Sequence, residues 1–144
     1  MKELIAALEV IGCSKVKTYI QSGNIVFHST SSVARLTKEI VAEITRRRGF
    51  RPHVLVLEDS EFECAIDNNP FPEDESDPKA LHLRFLDSVP SSPDLQSLEV
   101  LRGPSERFEL IGRVFYLLAP DGVGRSKLAE KSEKALGVPM TDRN

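Results

Sequence analysis

Apolar residues at helical spacing alternate with short period-two runs along this chain, and the order of alternation is nearly the same in its two halves. Together these observations predict an α+β fold. The length supports it: 144 residues are enough for one well-buried domain, or for two small halves sharing a core, since a domain of this size removes roughly 70% of its unfolded surface from water.

In the first half, Leu4, Ile5, Leu8 and Ile11 recur at helical spacing and Gly12 follows as a stop, so residues 1–11 read as an amphipathic helix. Residues 15–21 alternate, as do residues 25–28. Gly23 and Asn24 between them suit the positive backbone angles of a two-residue hairpin turn; a turn at Ser22-Gly23 changes the pairing but not the faces. Val16, Thr18, Ile20, Ile25 and Phe27 then share the buried face, while Lys17, Tyr19, Gln21 and His28 point the other way. Val33, Leu36, Ile40, Val41 and Ile44 mark a second helix, capped by Ser31 or Ser32 and closed by Arg46, Arg47 and Arg48, where cations favour the dipole. Residues 54–57 are wholly apolar and read as a strand covered on both faces.

The second half repeats the rhythm. Residues 59–68 read as a helix, and "NNPFPEDESDP" as a loop by its prolines and charges. Residues 81–86 alternate as a strand, residues 93–99 form a short helix, and residues 108–111 and 114–118 form a hairpin through Gly112-Arg113. The final helix runs from Gly124 to Leu136 and is closed by Gly137 and Pro139. Each half is thus a ferredoxin-like β-α-β-β-α-β unit short of one strand, the first strand in the first half and the last strand in the second. The boundaries this predicts are 1–58 for the first half, 59–78 for a linking helix and acidic loop, and 79–144 for the second half, packed as one compact unit. In such a unit the first strand is central, so the sheet of the first half is expected to be incomplete, with unpaired ladder groups along residues 54–57.

Composition narrows the function classes. An apolar fraction of 40% and a charged fraction of 28%, with no apolar run of membrane-spanning length, exclude a membrane-embedded or disordered chain. No basic-then-apolar leader is present, and Cys13 and Cys64 lack C-x-x-C spacing; both features fit a reducing cytoplasm. Residues 1–57 hold nine Lys/Arg against four Asp/Glu, whereas residues 58–144 hold ten against eighteen. A basic first half could meet a polyanion, although a solvated helix end explains the Arg46–Arg48 run without one.

Three places could carry chemistry. His28, His53 and His82 have no H-x-x-x-H or cysteine partner, and Glu73, Asp74, Glu75 and Asp77 lack the glycine and spacing of a calcium loop, so no metal site is expected, and no cofactor. Ser22 lacks the G-x-S-x-G elbow of a hydrolase nucleophile. On the outward hairpin face, Lys17, Tyr19, Gln21 and His28 place a cation beside an aromatic, a pair that stacks on and neutralises a nucleotide; the RNP1 pattern of RNA-recognition domains is absent. The third place is "APDGVGRSKL". Its order departs from a Walker loop because Lys127 follows Ser126. Arg125 and Lys127 at a helix start oppose the dipole by ~0.3 to 1 kcal/mol each unless an anion offsets them. Gly122, Gly124, Arg125, Ser126 and Lys127 are therefore the expected anion-binding residues.

At "TYIQSGNIVF" (18–27), "NPFP" (69–72), "YLLAPDGVGRSKL" (116–128) and "TDRN" (141–144), the chain resembles the mainly bacterial family known as domain of unknown function 1697. The resemblance implies a small α+β protein of ferredoxin-like halves and brings no activity or catalytic residue with it. Members usually begin with a hydrophobic strand and a glycine-rich loop, close to "ALLRGINVGG", and continue past the "RN". The resemblance thus implies a chain truncated at its N-terminus and at its C-terminus, without the part of a binding site that the loop would form.

The function expected on this reading is a cytoplasmic, non-catalytic binding module for an anionic small molecule or nucleotide. Two other classes stay open: an enzyme acting on a phosphorylated or nucleotide substrate, and a nucleic-acid-binding module using the basic first half. Self-association through the incomplete sheet is a further expectation, and no membrane partner is.

Overall fold

The computed structural model describes residues 2–19, 24–74, 77 and 79–143. By its internal contacts the chain divides into two units, Met1–Asp59 and Ser60–Asn144, and its content is α+β, with one sheet of two strands and one of four.

In the first unit, α1 (Lys2–Val10) and α2 (Val33–Arg48) flank a hairpin of β1 (Ser14–Tyr19) and β2 (Asn24–His28). Ser32 caps α2 by accepting from the Arg35 amide at 3.3 Å, and Gly49 ends it in the left-handed conformation (φ 76°) that a side chain resists. Val16, Ile25 and Phe27 pack with Leu8, Cys13, Leu36 and Ile40, while Lys17, Tyr19, Val26 and His28 are exposed, which is the face parity the alternation predicts. Ile20 and Gln21 lie outside the described residues.

Two expectations for this unit are corrected. Asn24 is not a turn residue; it pairs with Tyr19, and Thr18 pairs with Ile25, a register offset from both of the turns the glycine suggests. The faces survive because the shift in register is even. A bulge at Lys15, whose φ is +51°, absorbs the offset between the Ser14–His28 and Lys17–Val26 pairs. Residues 54–57, read as a strand, form no ladder: the only strands described in this unit, β1 and β2, are paired with each other. Val54 and Val56 still bury side chains against Leu8, Leu36 and Ile40, so the apolar run reports packing rather than pairing.

The second unit comprises α3 (Asp59–Asp67), a 3-10 turn at Pro72–Asp74, β3 (Leu81–Leu86), α4 (Leu95–Leu101), β4 (Arg107–Ile111), β5 (Val114–Leu118), a second 3-10 turn at Val123–Arg125, α5 (Lys127–Leu136) and β6 (Met140–Arg143). The sheet order is β4-β5-β3-β6, antiparallel throughout, and with β-α-β-β-α-β chain order this is a complete ferredoxin-like unit. The last strand was expected to be missing. Sequence patterning does not reveal β6 because four residues, MTDR, carry no apolar alternation; its place is decided by pairing with β3. The final helix also starts later than expected. Gly124 and Arg125 belong to the 3-10 turn, and α5 begins at Lys127 because Ser126 caps it.

Both faces of β5 are covered. Phe115 and Leu117 pack with Leu86, Leu98, Leu128 and Leu136 beneath α4 and α5. On the opposite face Phe62 of α3 stacks on Phe85 at 5.7 Å, and the Tyr116 hydroxyl donates to the Ala65 carbonyl at 2.6 Å. Tyr116→Phe strands that carbonyl in a dry environment and is expected to cost about 1 to 2 kcal/mol. Denaturant unfolding measures the loss, and hydrogen exchange should place the increased opening in α3.

Candidate functional site

The head of α5 is built by competing local demands. Gly122 leads into the 3-10 turn with φ +97°, which excludes other residues on backbone grounds, whereas Gly124 has open space around it and no such angle. Ser126 then caps the helix, accepting from the Ala129 amide at 3.0 Å. Its own hydroxyl proton is directed to Glu106, whose carboxylate also accepts from the Gly103 amide at 2.7 Å. An internal carboxylate thus stands at the start of α5, where the helix dipole favours negative charge. The Lys127 and Leu128 amides have no acceptor among the described residues.

Around this head lies an open cleft of about 440 Å³ lined by Arg84, residues 123–127, Ala129 and Glu130. The structure therefore brings Gly124, Arg125, Ser126 and Lys127 together on one cleft, and Gly122 is not among the residues that line it. Arg125 and Lys127 are exposed and form no ion pair or side-chain hydrogen bond among the described residues. Lys17, Tyr19 and His28 are exposed on the hairpin of the first unit, and Gln21 lies outside the described residues.

Sequence reasoning missed Arg84. This side chain is only 12% exposed; its Nε donates to Asp142 Oδ2 at 3.0 Å, and its Nη1 donates to the Ala129 carbonyl at 2.8 Å and the Ser132 hydroxyl at 2.7 Å. Nη2 makes no hydrogen bond among the described residues, and Arg84 lines the cleft. The other oxygen of Asp142, Oδ1, is 3.0 Å from His82 Nδ1, and His82 Nε2 is 3.2 Å from the Lys79 carbonyl. A carbonyl and an ionised carboxylate only accept, so this geometry favours protons on both ring nitrogens. The hydrogen bond to Asp142 raises the His82 pKa above its ordinary value, with burial acting against it. The signal in the sequence was "LHLRFL": two polar side chains two residues apart share one face of an otherwise apolar strand. Its partner was the aspartate of "TDRN".

The Arg46–Arg48 run is paired within its own unit. Arg46 and Arg47 both donate to Glu43, lowering its pKa to about 2, and Arg48 meets Glu3 at 2.9 Å. Among the described residues no three His, Cys, Asp or Glu side chains form a metal-ion cluster, and no helix is long and apolar enough to cross a membrane.

The sequence profile of the family described as Protein of unknown function (DUF1697) matches residues 1–116. The chain belongs to this family. The matched stretch holds His82 and Arg84 and ends before the cleft residues of α5. No curated protein matches the chain. Among solved structures it is similar to a conserved bacterial protein from Streptococcus pneumoniae, with a TM-score of 0.67 and 24% identity, over 100% of this chain and 82% of that one. At this identity the likeness speaks to the fold.

Two outcomes are expected. Ser126→Ala removes the cap and one donor to Glu106, and should destabilise the second unit by about 2 kcal/mol in denaturant unfolding. His82, with its pKa raised on folding, contributes stability that is fully present below about 6.5, the ordinary histidine value, and is lost as pH rises through the folded value. The pH profile of unfolding should show that decline above 6.5 and lose it in His82→Gln.

Proposed function

We propose that this protein is a cytoplasmic binding module whose second unit holds a phosphate-bearing small molecule or nucleotide in the cleft at the head of α5. The observation that carries the reading is that Arg125 and Lys127, both without a partner among the described residues, meet on one cleft with Arg84, whose Nη2 is uncommitted. Arg125 grips two oxygens at once, Lys127 adds a flexible charge, and the Lys127 and Leu128 amides offer further donors. Ser126 shapes the helix start rather than reaching the ligand, since its proton goes to Glu106. Glu130, exposed on the same cleft, suits a ligand that carries hydroxyl or amino donors beside its phosphate. The pairing of Arg46, Arg47 and Arg48 with carboxylates gives the nucleic-acid reading less to work with.

A ligand that binds only the folded state stabilises it by mass action. Nucleotides and sugar phosphates are therefore expected to raise the melting temperature of the full chain. Replacing Arg125 and Lys127 together by alanine should remove that rise and leave the unliganded protein as stable or slightly more so, because cations at a helix start oppose the dipole. A full response in the double variant, or no response to any phosphorylated compound, would refute the reading.

A further inference from the structure

Arg84 belongs to two structures at once. It lines the cleft, and it shares Asp142 with His82: Nε takes Oδ2 and the imidazole takes Oδ1, each at 3.0 Å. Asp142 is paired directly opposite Arg84 across the β3–β6 ladder, so strand register holds the two side chains side by side. Two cations therefore divide one carboxylate, and the surplus positive charge is felt at the only one of the three side chains that lines the cleft.

We propose that His82 sets how strongly the cleft holds an anion: while the imidazolium shares Asp142, Arg84 has charge to spare for the cleft, and once His82 loses its proton more of the Asp142 charge falls to Arg84. This inference rests on the cleft being an anion site. The charged groups acting on the ring are Asp142 from β6 and Arg84 from β3; β5 places Leu117 alongside it, and the α5 groups that reach Arg84, the Ala129 carbonyl and the Ser132 hydroxyl, are neutral. The raised pKa of His82 puts the change above 6.5, with the imidazolium present below it. Affinity for an anion then falls as pH rises through that value, and by reciprocity a bound anion makes His82 hold its proton more tightly. His82 is a positioning residue for charge; it does not itself line the cleft.

Inorganic sulfate is the probe, because its own charge is constant over the range where histidine titrates. Its binding to the full chain is followed by amide shifts of residues 123–130, at constant ionic strength, from about pH 5.5 to about pH 9. The expected result is a decline in affinity of roughly fivefold across the His82 titration, with His82→Gln fixed at the weaker value throughout. A second measurement needs no variant: the His82 ring titration in the wild-type chain should move up by about 0.7 of a pH unit at saturating sulfate, the same coupling read from the other side. Sulfate that binds with equal affinity across the range, a ring titration unmoved by saturating sulfate, or a His82→Gln protein that keeps the full pH dependence overturns this inference and leaves the anion site standing. Absence of sulfate binding at every pH overturns the anion site and the inference together.

Discussion

An unmatched guanidinium in a protein interior costs several kcal/mol, so a largely buried arginine must have its charge balanced and its donors occupied. Arg84 meets that demand by drawing on two elements besides its own. Asp142 comes from β6, and the Ala129 carbonyl and the Ser132 hydroxyl come from α5. The short strand β6 has little apolar surface with which to hold its place, and its charge pairing with β3 supplies what hydrophobic burial does not. His82 then takes the second oxygen of Asp142, so both carboxylate oxygens are engaged by β3 side chains.

The apolar part of the unit is arranged around β5, whose five residues are all buried. Alternate residues face α4 and α5 on one side and α3 on the other, so this strand is the point at which both layers meet. The head of α5 inherits its position from this packing. Leu128 is fully buried, while Arg125 and Lys127 on either side of Ser126 face solvent. Glu106 adds a carboxylate at the same end, satisfied by Ser126 and the Gly103 amide. The helix start is therefore half neutralised by the protein itself, and what remains for a ligand is the side-chain cations and two amides.

The first unit shows the opposite electrostatic arrangement. Its arginine-rich helix end is matched by Glu43 and by Glu3, so a run that looks like an exposed cationic patch is a set of local ion pairs. Pairs this exposed contribute little to stability. Their consequence is for recognition, since a cation already held by a neighbour offers a polyanion less.

Local patterning determined a good deal of this protein. Helix caps at Ser32 and Gly137, the inward face of the first hairpin, the β4–β5 hairpin through Gly112-Arg113 and the α+β class all follow from spacing and turn chemistry within a few residues. Only the tertiary structure decided whether residues 54–57 had a strand to pair with, where the hairpin register fell, and that MTDR was a strand at all, because pairing joins segments far apart in the chain and leaves no local period. The same reason separates the two parts of the cleft. Gly124, Arg125, Ser126 and Lys127 were legible as a contiguous run at a helix start. Arg84 and its coupling to His82 and Asp142 were not, since nearly sixty residues of chain intervene and what joins them is the need to balance a buried charge, which a sequence read alone does not locate.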